Sequence, residues 1–133
     1  MSEENVVELA RELFADWAKG NFGTTLDAMA PHAVLIVREG FIESGVHVGA
    51  DQIGEYTRGF MGQYDSMVIE ASDLQANGDT VFARVVQRGD GKASGIEMEM
   101  AYFMLISYRA GKIIRMESVI EEAEALEAAG LSE

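Results

Sequence analysis

The stretch GIEMEMAYFMLISYRAGKIIRMESVI, residues 95–120, decides the fold, because it reads as two long strands around a tight turn at Ala110-Gly111. Side chains alternate along both runs, and a period of two residues is typical of a strand with one buried face. One face carries Met98, Met100, Tyr102, Met104, Ile106, Met116, Ser118 and Ile120. The other face mixes charged and apolar groups: Glu97, Glu99, Ala101, Phe103, Leu105, Arg115, Glu117 and Val119. The stretch therefore predicts an antiparallel hairpin with a methionine-rich face.

Helices are predicted mainly before this hairpin. Apolar residues at helical spacing, ending in Trp17, predict a helix over residues 3–19 that stops at Gly20. A short helix is predicted at residues 25–29 and is ended by Pro31. A third, at residues 50–61, carries Tyr56 and Phe60 on one side. A short acidic helix follows the hairpin and ends at Gly130.

Strand patterns fill the rest of the chain. Residues 33–38 form an apolar strand, and residues 39–48 read as a loop or a short strand pair. Residues 66–76 and 79–88 flank Asn77-Gly78, a strong hairpin signal, and a glycine-rich connection at 89–95 leads into the opening hairpin. This order predicts an α+β fold: helices on the inner face of a four-stranded antiparallel meander, with the charged outer face solvated or at a subunit interface.

Composition limits the function. A chain of 133 residues fits one domain, residues 1–133, and a net charge of −13 argues against nucleic acid and anionic lipid as partners. There is no cysteine, and the two histidines lack ligand spacing, so no metal site is expected. The N-terminus has no signal-peptide pattern, and no apolar run reaches the roughly 18 residues of a membrane span. We therefore expect a cytoplasmic protein.

Three segments carry a resemblance to a family: VGADQIGEY (48–56), GDGKASGIEMEM (89–100) and GKIIRMESVIEEAEALEAAGL (111–131). They resemble the SnoaL-like domains of bacteria, in the nuclear transport factor 2-like superfamily, which includes ketosteroid isomerases, polyketide cyclases and epoxide hydrolases. The resemblance implies a cone in which N-terminal helices pack on a strongly bent antiparallel sheet around a pocket. It also implies a homodimer through the outer sheet face and cofactor-independent chemistry in those members that catalyse.

Catalytic members of the superfamily place ionisable groups inside the cone. Here no Asp or Glu of the last two strands points inward, and the Asp-Arg-Asp set of the epoxide hydrolases is not visible. The remaining catalytic candidates lie at the predicted mouth: Arg38, Glu39 and His47. Solvated strand-end charges and an ordinary rim histidine, as also for His32, are the alternative interpretation.

Two functions follow from these patterns. The first is binding of a small, apolar, cyclic ligand without catalysis; its pocket would be lined by Trp17, Tyr56, Phe60, Met98, Met100, Tyr102, Met104, Met116 and Ser118. The alternative is an acid–base enzyme of the isomerase or polyketide-cyclase type that acts on a cyclic apolar substrate. Whether the protein is an enzyme stays open, and no cofactor is expected.

Overall fold

The computed structural model describes residues 2–41, 43–92 and 95–131. Within these ranges the helices are α1 (Glu3–Ala18), α2 (Thr24–Asp27), α3 (Ala50–Met61) and α4 (Glu122–Ala129). The strands are β1 (Met29–Val37), β2 (Gly45–Val48), β3 (Tyr64–Asn77), β4 (Thr80–Gly91), β5 (Glu97–Arg109) and β6 (Lys112–Val119). Residue 42 of the predicted 39–48 segment and residues 93 and 94 of the predicted glycine-rich connection lie outside the described ranges. No helix in these ranges is long and apolar enough to cross a membrane.

The strands form one six-stranded, curved and unclosed sheet in the order β2-β1-β6-β5-β4-β3. The N-terminal helices pack on it, which confirms the predicted α+β class. The predicted four-stranded antiparallel meander is confirmed as β3–β6. The sequence analysis did not predict that β1 and β2 extend this sheet, with β1 paired to β6 in parallel. β1 supplies hydrogen-bond partners for the backbone donors and acceptors on the side of β6 that faces away from β5.

Two local predictions were wrong. Pro31 does not end the short helix but lies inside β1, where the register with β6 shifts between Met29 and Val34. A proline, which lacks an N–H, is tolerated at such an irregularity. The predicted glycine-rich connection begins too early, since β4 continues to Gly91. A Cβ on Gly89 would lie 2.9 Å from the Tyr64 ring, so a glycine is needed for β3 to pass this close.

The main core lies between α1 and the inner sheet face. Val6, Ala10 and Leu13 of α1 are buried together with Val85 and Ile106 of the sheet. The Ser2 side chain accepts a hydrogen bond from the Asn5 N–H and caps the helix. Burial of this stripe holds α1 over one half of the sheet.

A second core lies on the outer face, where the sequence analysis expected solvent or a subunit interface. There α4 packs across β4, β5 and β6, and its Ala125 and Ala129 are buried with Phe82, Leu105 and Val119. The Asn77 amide donates to the Ala129 carbonyl at 2.9 Å and ties the end of α4 to the turn after β3. Part of the expected interface is therefore covered by the chain itself.

The remaining outer face carries paired charges. Arg88 on β4 donates to Glu99 on β5 at 2.8 Å and also contacts Glu70 on β3. Near α4, the buried Glu117 accepts from Arg38 at 2.5 Å and from Arg115 at 3.2 Å. These contacts place the carboxylates of Glu99 and Glu117 outside the cone, as the alternation of the hairpin predicts.

Candidate functional site

A cavity of about 400 Å³ opens between the helices and the inner sheet face. It exists because α3 buries only Ile53 and Gly54, so its aromatic side chains remain half-buried beside the open space. The structure brings together around it every residue that the sequence analysis assigned to a pocket: Trp17, Tyr56, Phe60, Met98, Met100, Tyr102, Met104, Met116 and Ser118.

Thioethers dominate the lining. The chain has 8 methionines, and every one of them after the initial residue lines the cavity. Met104 is 3% exposed at the inner end, whereas Met98 is 46% exposed at the mouth. Met29, Met61 and Met67 were not predicted as pocket residues. Met29 was assigned to the predicted helix at residues 25–29, whereas the structure places it at the start of β1.

The polar groups inside the cavity are neutral. The Tyr102 hydroxyl donates to Gln87 Oε1 at 2.7 Å, and Ser118 lies on the neighbouring strand with 8% exposure. Burial raises the pKa of Tyr102 well above its usual range, so its hydroxyl keeps its proton at neutral pH. Phe41 packs edge-on against the Tyr102 ring, with the ring centres 5.2 Å apart. This arrangement can offer hydrogen bonds to an uncharged group of a ligand.

The three catalytic candidates lie away from the interior of this cavity. Arg38 follows Val37, which faces inward, so its own side chain points outward to Glu117 and Glu124. Glu39 is exposed after the end of β1. His47, on β2, lines a shallow surface depression beside the mouth. The structure therefore keeps Arg38 and Glu39 apart from the pocket residues, whereas His47 contacts one of them, Tyr56.

His47 is connected to the cavity through Tyr56. The two rings lie 4.3 Å apart between centres, and His47 Nε2 is buried with no hydrogen-bond partner among the described residues. Tyr56 lines both the depression and the cavity. Burial raises the pKa of Tyr56, and the negative charge of Glu43 adds to this effect. Tyr56 is therefore an uncharged wall between the two spaces.

Charged groups occur at the rim of the cavity. Glu43, Arg58 and Glu99 line it, and all three residues are exposed. Arg58 was missed by the sequence analysis, although its spacing from Gly54 in the predicted helix was visible. Residues four apart share a helix face, so a glycine at the first position leaves room for the side chain at the second.

Comparisons with known proteins agree with the fold described above. A profile of the SnoaL-like domain family matches residues 10–116. A nuclear transport factor 2-like protein of unknown function from Burkholderia pseudomallei K96243 superimposes with a TM-score of 0.76 at 17% identity, over 97% of this chain and 98% of that one. No curated protein matches the chain.

Two further solved structures share the fold. A candidate SnoaL-like polyketide cyclase from Jannaschia sp. CCS1 gives a TM-score of 0.75 at 16% identity, over 98% of this chain and 94% of that one. TerC, co-crystallised with polyporic acid, gives a TM-score of 0.73 at 18% identity, over 93% of this chain and 96% of that one. At these identities the likeness concerns the fold alone.

Proposed function

The chain belongs to the SnoaL-like domain family, and from that premise we propose that its cavity binds a small, flat, apolar ring compound. The observation that carries the proposal is the lining: thioethers from four strands and one helix, with aromatic rings across from them. Unbranched, polarizable thioethers adapt to the shape of a ring and make favourable contacts with its π-system. Apolar pockets with a few placed polar groups are typical small-molecule sites.

The inner polar groups would orient such a ligand. Tyr102 donates to Gln87 Oε1, which leaves the Gln87 amide N–H groups and the Ser118 hydroxyl to meet an oxygen on the ring. TerC, which shares the fold, was co-crystallised with a small organic acid, polyporic acid. The proposal gives Trp17, Tyr56 and Phe60 the role of aromatic walls.

The protein offers its own binding signal, because Trp17 is its only tryptophan and lines the cavity. We expect 1,4-naphthoquinone, a flat ring with a carbonyl, to quench Trp17 fluorescence in a saturable titration. Met100→Arg places a charge in the apolar space and should weaken the apparent affinity by about tenfold or more. Gln75→Arg, at an exposed position of β3 that lines neither the cavity nor the proposed dimer contact, is the control and should leave the affinity unchanged. Unsaturable quenching, or equal affinities in the two variants, would contradict the proposal.

The alternative of acid–base catalysis has less support from the geometry. Two acidic residues, Glu43 and Glu99, line the rim of the cavity and are exposed, and the Glu99 carboxylate is paired with Arg88 on the outer face. A general base must reach the proton that it removes, directly or through one water molecule. The catalytic roles of Arg38, Glu39 and His47 stay predictions, and the binding proposal does not use them.

We also propose that the protein is a homodimer through the outer face that α4 leaves uncovered. Val68, Val86 and Ala101 lie there on neighbouring strands. Phe103 and Arg84, which stack at 5.3 Å, mark the border of this face with α4, since Phe103 also packs against the α4 core. An apolar strip rimmed by charges is typical of a subunit contact. Sedimentation at about 50 μM should give twice the monomer mass of 14.5 kDa, and Ala101→Arg should shift the protein to monomer. A monomer at that concentration without any substitution would refute this.

A further inference from the structure

Arg58, at the rim of the cavity, lies against a glycine of its own helix. Arg58 reaches back along α3 over Gly54, so that a Cβ on Gly54 would lie 3.2 Å from Arg58 Nη1 and 3.2 Å from Leu26 Cδ1. Gly54 is a buried glycine in a helix interior, where glycine stabilises a helix less than alanine does. The missing methyl group gives the guanidinium room at the wall of the cavity, between α2 and α3. The guanidinium therefore lies against Gly54, in a place that a methyl group on residue 54 would crowd.

Arg58 differs from five other arginines in having no ion pair among the described residues, and it differs from the unpaired Arg109 in lining the cavity. The chain has 23 acidic residues for 10 basic ones, so carboxylates are abundant. Those arginines that form ion pairs among the described residues are Arg11, Arg38, Arg84, Arg88 and Arg115. Within the same ranges, no carboxylate lies within 4.0 Å of Arg58, although it touches an apolar cavity where a ligand group could reach it.

We propose that the ring compound in the cavity carries a carboxylate, which binds the Arg58 guanidinium while the ring lies among the methionines. This inference rests on the proposed binding function and narrows its ligand to aromatic or alicyclic carboxylic acids. The planar guanidinium fork matches a carboxylate in a bidentate contact. Glu99 does not compete for the same place, because its carboxylate is already bonded to Arg88 on the outer face.

A purely structural role for Arg58 explains fewer of these observations. Arg58 lies in the last turn of α3, where the helix dipole favours a cation. That effect needs only a positive charge near the C-terminus of the helix. It does not account for the presence of this cation among the residues that line an apolar cavity.

A matched pair of ligands tests the proposal on the intact protein. 2-Naphthoate and naphthalene-2-carboxamide share one ring system and differ in charge, and their affinities can be measured by calorimetry and by Trp17 fluorescence. We expect the carboxylate to bind about 10- to 100-fold more tightly than the amide at pH 7.5. Arg58→Gln should remove that preference and leave the affinity for the amide unchanged. Arg109→Gln, the same change of charge on an exposed arginine at the end of β5, should keep the preference.

The outcomes separate this inference from the function on which it rests. If both compounds bind equally to the unsubstituted protein, or if Arg58→Gln keeps the preference, the carboxylate site is wrong while the apolar pocket stands. If Arg109→Gln loses the preference to the same extent, the effect is one of overall charge, and the site is again wrong. If neither compound binds, the proposed function fails, and the carboxylate site fails with it.

Discussion

We expect Met104→Glu to lower the free energy of unfolding by several kcal/mol, whereas Glu99→Met should change it by less than about 1 kcal/mol. The two positions lie on the same strand but on opposite faces. Met104 is 3% exposed at the inner end of the cavity, where a carboxylate would find no cation. Glu99 is exposed and loses only a surface ion pair with Arg88, the kind of pair that contributes little.

Urea unfolding of both variants, followed by circular dichroism, measures this difference. The loss in Met104→Glu should also depend on pH, because burial raises the pKa of a carboxyl group in the folded protein above its unfolded value. The unfolded chain then releases the proton first, so stability falls as pH rises from about 4 toward the folded pKa. The variant should accordingly be closer to the unsubstituted protein at pH 5 than at pH 8. Equal losses at Met104 and Glu99 would show that the assigned strand faces are wrong.

The parts of the fold that sequence predicts well are those in which one element carries its own pattern. The alternation through Met98–Ile106 fixes which side chains of β5 face the cavity, since a slip of one residue would invert both faces. The stripe ending in Trp17 fixes the buried face of α1 in the same way. These patterns are local, and the structure reproduces them.

Pairings between distant segments leave no such pattern. The parallel register of Val37 with Ser118 joins strands that are far apart in the chain. The residue pattern of one strand does not identify the strand with which it pairs. Likewise, the alanine-rich face of α4 is short, so its position on Phe82 and Leu105 emerges only when the outer face is assembled. The apolar groups on that face were instead expected to be solvated or to lie at a subunit interface.

The same distinction between local patterns and long-range packing applies to the candidate site. Residues on α1, α3, β5 and β6 were assigned to the pocket because periodicity gives the face of an element. Arg38 was assigned to the mouth from its position at the strand end, although the alternation of Leu35 and Val37 already directs it outward. Arg58 was missed because its importance depends on the space over Gly54, which is a property of packing.

The outward orientation of Arg38 leads to the second large effect. Arg38 joins the end of β1 to β6 and α4, since it contacts the buried Glu117 and, at 3.4 Å, Glu124. Arg38→Met leaves Glu117, whose side chain is 5% exposed, with Arg115 as its remaining cation. An incompletely paired buried carboxylate is costly, so we expect the free energy of unfolding to fall by about 2–3 kcal/mol.

Two comparisons make this expectation specific. Arg11→Met removes an exposed pair with Glu8 on α1 and should cost under about 0.5 kcal/mol. The double variant Arg38→Met, Glu117→Leu removes both charges and should regain much of the loss, because an apolar pair fits beside Leu105 and Val119 without an orphaned carboxylate. Naphthoquinone binding, measured on the folded fraction, should be unchanged in Arg38→Met. If Arg38→Met instead keeps full stability but loses binding, Arg38 acts at the cavity, and its catalytic prediction becomes the better interpretation.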